Sequence, residues 1–424
     1  MGNVPRGGGA DQLVRETRIS GHGHDVSVFM VAGEHSGDAL GAKLMAALNQ
    51  QRRGRIRYLG VGGPGMAREG LISQFPLDDV AVMGAAAIAA RLPVILSRMR
   101  STAKAAMVAE PNVVVIIDSP EFTHPIARGV RRRRPSIPIV DYVSPTVWAW
   151  RPGRARKMRA YVDHVLALWP FEPDAHERLG GPPCSFVGHP LIERHPWIAA
   201  LDPAPLAERL ELAPGKPVIV LLPGSRTSEV SRLMQPFGEA LKRLEHGGLD
   251  YEAIIPVMPN LRAMIERQLR GWPKQPHLVE EEEDKFRAFK LATVALAASG
   301  TVTLELALTG TPMVVAYKVD PVIAPVLRRL IKAPSTVLPN LVLGEKAFPE
   351  FHQGDCTGGK LANALAPLLE ESPERAKQLA ALARIPAALR VEGLTPSEAA
   401  ARIVLDYADN GRGWPRRSDA LARE

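Results

Sequence analysis

Four short stretches carry residue types whose spacing could do chemistry, and each begins where an apolar run stops. In residues 32–38 (AGEHSGD), Gly33 and Gly37 let the backbone turn tightly ahead of a helical pattern. Ser36 and Asp38 are placed there as a cap and a first-turn acid. Such a turn, with Glu34 beside it, offers free amides to an anion or a sugar hydroxyl; a well-capped loop accounts for the same residues. In residues 116–122 (IIDSPEF), Asp118 stands where the apolar run ends and Pro120 stops it. A carboxylate at the rim of a buried sheet must be hydrogen-bonded, solvated or functional. It could accept a proton from an alcohol nucleophile, with Glu121 as the alternative, or simply cap the next helix. In residues 222–226 (LPGSR), Gly224, Ser225 and Arg226 converge on a helix start, a combination that suits a diphosphate. The fourth stretch is Ser299, Gly300 and Thr301, with Glu305 one turn into the helix, where it could accept ribose hydroxyls or serve only the helix dipole.

Two further features compete for attention. Residues 60–65 (GVGGPG) match G-x-G-x-x-G, but Pro64 removes a donor and Asp78 and Asp79 follow Pro76 in a turn-like run. This reads as a turn, not a dinucleotide site. Between Arg128 and Arg159 lie ten Arg or Lys against one acid, Asp141, with Trp148 and Trp150 in the middle. Tryptophans beside arginines can dock on lipid headgroups or stack on bases; a solvated helix face over core tryptophans is the plain reading.

The elements that would position these stretches alternate. Apolar runs at Val26–Ala32, 56–60, 113–118, 137–143 and 164–169 are separated by helical patterns at 38–51, 91–110 and 124–134. After a Pro-rich passage the alternation restarts, with runs at 218–222, 252–257, 291–297 and 312–316 and helical patterns at 227–245, 260–269 and 301–308. Continuous apolar strands alternating with helices predict parallel sheets covered on both faces, hence two Rossmann-like α/β domains facing one another across a cleft. The expected division is a disordered tail or misassigned start at 1–25, domains at 26–205 and 206–385 with a linker near 200–215, and C-terminal helices and tail at 386–424.

Composition narrows the class. The 424 residues are 46% hydrophobic and 23% charged, the range of a globular protein rather than a disordered or fibrous one. A net charge of +8 favours anionic partners. Two cysteines exclude a disulfide framework and a site of paired thiolates. The N-terminal residues lack the apolar core of a secretory signal, and no run of eighteen apolar residues predicts a membrane-spanning helix. No metal-ligand cluster and no fixed-period repeat is visible.

Taken in order, residues 32–38, 60–66 (GVGGPGM), 143–154 (VSPTVWAWRPGR), 170–173 (PFEP), 186–191 (FVGHPL), 221–226 (LLPGSR), 298–305 (ASGTVTLE), 312–318 (PMVVAYK) and 338–344 (LPNLVLG, with Asn340) resemble the lipid-A-disaccharide synthases, glycosyltransferase family 19. The resemblance runs over nearly the whole chain. It implies a GT-B fold with the C-terminal helices packed back on the first domain. The implied reaction is an inverting transfer from UDP-2,3-diacylglucosamine to 2,3-diacylglucosamine 1-phosphate, giving the β(1→6) disaccharide phosphate and UDP. By its place in the family's ID-[AS]-P motif, Asp118 is implied as the base, with Ser36 in the site. Gly224, Ser225 and Arg226 are implied at the diphosphate, and Glu305 at the nucleotide. No metal or other cofactor is implied. Acylated substrates imply a cytoplasmic enzyme held peripherally at the inner face of the inner membrane. Arg131–Arg134 and Arg151–Lys157 would then face anionic headgroups, and Trp148 and Trp150 the acyl chains or the acceptor. A homodimer is compatible with the family. The competing expectations are another UDP-sugar enzyme on the same fold, such as a UDP-GlcNAc epimerase or the lipid-linked muramyl transferase, and a non-catalytic anionic-surface or nucleic-acid binder. No nucleic-acid motif supports the last.

Overall fold

A strand that is apolar on both faces needs cover on both, and in this chain each sheet is parallel and layered between helices. The computed structural model describes residues 26–412 except 54, 83–84, 273, 322–323 and 331–332. The expectation for residues 1–25 therefore lies outside the described residues. The described residues form two compact units, one of residues 26–190 and 390–412, the other Leu191–Leu389.

The first unit holds β1 (Val26–Ala32), β2 (Ile56–Val61), β3 (Ile72–Ser73), β4 (Val113–Ile117), β5 (Ile139–Tyr142), β6 (His164–Ala167) and β7 (Cys184–Phe186). Their order is β3-β2-β1-β4-β5-β6-β7, every neighbouring pair parallel. Alternation along β1 shows why its run is unbroken: Val28, Met30 and Ala32 enter one core, Phe29 and Val31 the other. The first of these cores also takes Ala400, Ile403, Val404 and Tyr407 from the C-terminal helix Pro396–Asn410, which packs back on this unit. A capping box between Thr395 and Glu398 starts that helix, and the Tyr407 hydroxyl lies 3.3 Å from His164 Nδ1.

The second unit holds β8 (Val218–Leu222), β9 (Glu252–Pro256), β10 (His277–Val279), β11 (Val294–Ala298), β12 (Met313–Tyr317) and β13 (Glu350–His352), in the order β10-β9-β8-β11-β12-β13, again all parallel. Its core is built on Ile219, Leu221, Leu296 and Val314 under the amphipathic helix Thr227–His246. The expected boundary at 205 falls inside the helix Ala204–Arg209, which pairs through Arg209 with Asp284 and so belongs to this unit. Four strands gave no signal in the sequence: β3, β7, β10 and β13, each of two or three residues, too short for an apolar run.

Candidate active site

The first sheet reverses its strand order between β1 and β4, the second between β8 and β11. In open α/β sheets ligands bind beyond the carboxyl ends of the strands at such switch points. The four chemistry-bearing stretches follow those four strands.

In the first unit, β1 and β4 run in register to Ala32 and Ile117, so Gly33 and Asp118 leave the sheet side by side. A Cβ on Gly33 would lie 2.7 Å from Ser119 Cβ and 3.2 Å from the Phe122 ring, so only glycine fits. Asp118 (φ 51°) and Ser119 (φ 43°) are both left-handed, a conformation that costs a non-glycine residue roughly 1–2 kcal/mol. Side-chain hydrogen bonds help to hold the turn. The Ser119 amide donates to Asp118 Oδ1 at 2.7 Å, Thr123 Oγ1 to the Asp118 carbonyl at 2.8 Å, and Ser119 Oγ to Glu34 Oε1 at 2.7 Å. Burial pushes the Asp118 carboxyl above its ordinary value; the Ser119 amide opposes this, while Glu34 and Asp141 add to it. Ser119, not Asp118, is the cap residue of the helix Pro120–Arg133.

Glu121, the alternative base, is exposed and accepts a 2.6 Å hydrogen bond from Arg154, with Arg151 at 3.9 Å. Its hydrogen bond to Arg154 holds it below its ordinary value despite partial burial. The two carboxyls are thus driven in opposite directions. Ser36 is exposed on the first turn of the helix His35–Arg52, whose cap residue is Glu34, so Ser36 does not cap it. Gly37 is buried, its absent Cβ 3.4 Å from the Ile117 carbonyl. Asp38 lies in the first turn of this helix as expected, but its side chain reaches beyond it. Its buried carboxylate accepts from the amides of Gly63, Gly65 and Met66 at 2.8–2.9 Å, fixing the GVGGPG turn as a structural partner of the first loop.

The basic aromatic segment divides. Arg131 is buried, pairs with Asp163 and donates to the carbonyls of Pro135 and Ile137, so it does not face headgroups as expected. Arg132, Arg133 and Arg134 are exposed, and Arg134 pairs with Glu110. Trp148 and Trp150 are both half-buried. Trp148 packs edge-on against Phe171 at 5.1 Å and donates from Nε1 to Glu172 at 3.2 Å; Arg151 lies 5.2 Å over Trp150. Glu172 is buried and also accepts from the Leu168 and Trp169 amides. Burial pushes it up to about 8 against those hydrogen bonds. The VSPTVWAW and PFEP blocks therefore form one support.

In the second unit, Gly224 has φ 115°, and a Cβ there would lie 2.5 Å from Glu229 Cβ. Glu229, not singled out from the sequence, belongs to this loop. Its Oε2 accepts from the Ser225 and Arg226 amides at 3.0 and 3.3 Å, and its Oε1 from Arg226 Nη1 at 3.1 Å. The donors expected to meet a diphosphate are thus already turned toward a carboxylate. Ser299 Oγ donates to the Thr336 carbonyl at 2.7 Å, while Gly300 has open space around it and Thr301 is exposed. Glu305 accepts two hydrogen bonds from Lys285, at 3.1 and 3.0 Å. Asn340 is buried and clamps the backbone of Phe348 from both sides, at 2.9 and 3.0 Å. Its amide holds a loop. Among the described residues no group of three His, Cys, Asp or Glu could hold a metal ion, and no helix is long and apolar enough to cross a membrane.

The sequence profile of the Lipid-A-disaccharide synthetase family matches residues 28–404. The chain belongs to this family. A lipid-A-disaccharide synthase of Rhodopseudomonas palustris (strain BisB18) is 54% identical over 378 residues, 89% of this chain and 94% of its own length. One of Rhodospirillum centenum (strain ATCC 51521 / SW) is 42% identical over 379 residues, again 89% and 94%. Among solved structures, UDP-GlcNAc 2-epimerase from Neisseria meningitidis bound to UDP-GlcNAc superposes with a TM-score of 0.55 at 12% identity, covering 91% of this chain and 99% of that one. Acinetobacter baumannii MurG superposes with 0.54 at 15% identity, covering 90% and 98%. At such identities the likeness carries the GT-B fold alone. As a member of the lipid-A-disaccharide synthase family, the chain is a glycosyltransferase of lipid A assembly.

Proposed function

We infer that the chain joins UDP-2,3-diacylglucosamine to 2,3-diacylglucosamine 1-phosphate in a single displacement at the anomeric carbon. The acceptor 6-hydroxyl forms the new C–O bond, its proton passes to Asp118, and UDP leaves from the opposite face with the electron pair of the broken bond. The observation that carries this assignment is the Asp118 turn: a strained, half-buried carboxyl with raised basicity, at the switch point of its sheet. Glu121 is the weaker candidate because Arg154 already neutralises it. Gly33 and Gly37 shape this rim, Glu34 fixes Ser119, and exposed Ser36 meets acceptor hydroxyls.

The leaving diphosphate is received by Gly224, Ser225 and Arg226, which exchange Glu229 for the incoming anion. Ser299, Gly300, Thr301 and Glu305 lie at the neighbouring strand end and take the nucleoside, with Asn340 holding a nearby loop. Acylated substrates bring the enzyme to the inner face of the inner membrane. Trp148 and Trp150 meet acyl chains there, beside Arg151–Lys157. The helix Ala85–Ala109 adds what the sequence reading missed: Ile88, Leu92 and Leu96, spaced by four, are 42%, 47% and 39% exposed. An apolar stripe beside exposed Arg91 and Arg100 suits an anionic lipid surface.

Purified protein should release UDP from UDP-2,3-diacylglucosamine only when the monosaccharide 1-phosphate is supplied. Release without acceptor, or conversion of UDP-GlcNAc instead, defeats this reading. Liposome cosedimentation that is unchanged in Leu92→Asp/Leu96→Asp defeats the membrane placement.

A further inference from the structure

Glu305 is 18% exposed, one turn inside the helix Val302–Leu308 that follows β11. A carboxylate so covered needs donors, and both its oxygens find one in Lys285 Nζ, at 3.1 and 3.0 Å. Lys285 belongs to a different helix, Glu282–Leu291, which follows β10. Its ammonium also lies 4.8 Å from the centre of the buried Phe286 ring, which packs edge-on against Trp197 at 5.3 Å. Arg194 lies 5.1 Å over the same ring and pairs with Glu282, at the start of that helix, at 2.7 Å. Lys285 is thus fastened to a carboxylate and to an aromatic ring, unlike a solvated surface lysine.

A carboxylate offers roughly four acceptor positions, two on each oxygen. One ammonium shared between the oxygens takes one from each and leaves the others side by side, the pattern that two vicinal hydroxyls meet. We propose that Lys285 is a positioning residue for the nucleoside: it holds the Glu305 carboxylate in the orientation that receives the 2′ and 3′ hydroxyls of ribose, and so makes the site select ribonucleotides over deoxyribonucleotides. The pair has a second consequence. Because β8 and β11 are paired in register, Glu305 stands at the strand end beside the loop of Gly224, Ser225 and Arg226. A bare carboxylate there repels a diphosphate; Lys285 cancels its charge without taking the positions left for the hydroxyls. Glu229 must release Arg226 before an anion enters, whereas Lys285 stays with Glu305 in the free and the loaded site.

The inference rests on the reading that Glu305 takes the nucleoside, and the test separates the two. UDP and 2′-deoxy-UDP are titrated calorimetrically into the wild type and its variants. The wild type should bind UDP about tenfold more tightly, since a hydrogen bond to a charged group goes with the 2′ hydroxyl. In Lys285→Met, which keeps the apolar stem but not the donors, that ratio should fall to about threefold or less through weaker UDP binding. KM for the UDP-sugar should rise there while kcat holds. Lys285→Arg, whose fork can serve both oxygens, should keep the ratio near that of the wild type. A folded Lys285→Met that weakens both nucleotides alike, or neither, marks the pair as merely structural and overturns the proposal. If Lys285→Met does not fold, Lys285→Gln takes its place, and a wild-type ratio there overturns it in the same way. No preference for UDP in the wild type, or a ratio unchanged in Glu305→Gln, removes the ribose reading of Glu305 and this inference with it.

Discussion

The two switch points are built in opposite ways. At the β1/β4 rim the chain accepts strain and repulsion: Asp118, Ser119 and, one strand over, Val143 (φ 83°) are left-handed without being glycine, and carboxylates stand near one another. At the β8/β11 rim the sharpest turn is given to Gly224, and the charges are matched in pairs, Arg226 with Glu229 and Lys285 with Glu305. On the function proposed above, strain and unmatched charge suit the rim that would take a proton, because a base must be held away from its resting state. On the same proposal, matched pairs suit the rim that would receive the diphosphate, because a side-chain carboxylate can keep the donors arranged until a phosphate replaces it.

The sharpest break of this contrast is Asp118→Asn. Turnover should fall by about a thousandfold or more. Its thermal stability at neutral pH should rise. The sign follows from linkage: a carboxyl raised in the folded state binds its proton more tightly there, so stability falls as pH climbs from the ordinary carboxylate value to the raised one. Loss of stability on substitution would contradict the strained-base view.

Next in size, Arg226→Ala should lower kcat/KM by about a hundredfold, since a guanidinium on a developing diphosphate is lost. Asp118 variants should leave UDP affinity alone, and this one should not. Glu229→Gln should show a smaller effect of opposite sign, tightening UDP by about threefold because the resident anion has gone. Calorimetric titration with UDP checks both. Weaker UDP binding in Glu229→Gln would mean that Glu229 orders the loop for the ligand rather than competing with it.

The smallest effect concerns the support beneath the rim. Glu172 sits near 8 when folded, so native stability should decline as pH rises from about 4.5 to 8. Glu172→Gln should flatten that slope in a pH series of melting curves. An unchanged slope would assign it to other groups.

Most of the architecture was legible because long apolar runs such as 113–118 have no alternative but a covered strand. The four loops were legible because each ends such a run. What escaped was short or distant. β13 has three residues and no periodicity. Lys285 reaches Glu305 across twenty positions. Asp38 reads locally as a first-turn acid, and only the sheet brings Gly63 and Gly65 to it. Arg131 reads as part of an exposed basic run, and only Asp163, brought in from the start of β6, explains its burial. Glu229 was the exception, three residues after Arg226 at the spacing of a capping box, and so could have been found.

The division of labour between the two rims is tested most directly by titrating UDP into folded Asp118→Asn while following its acceptor-dependent UDP release. The dissociation constant should stay within about twofold of wild type while turnover falls to background. Lost UDP affinity, or turnover that survives, would contradict it.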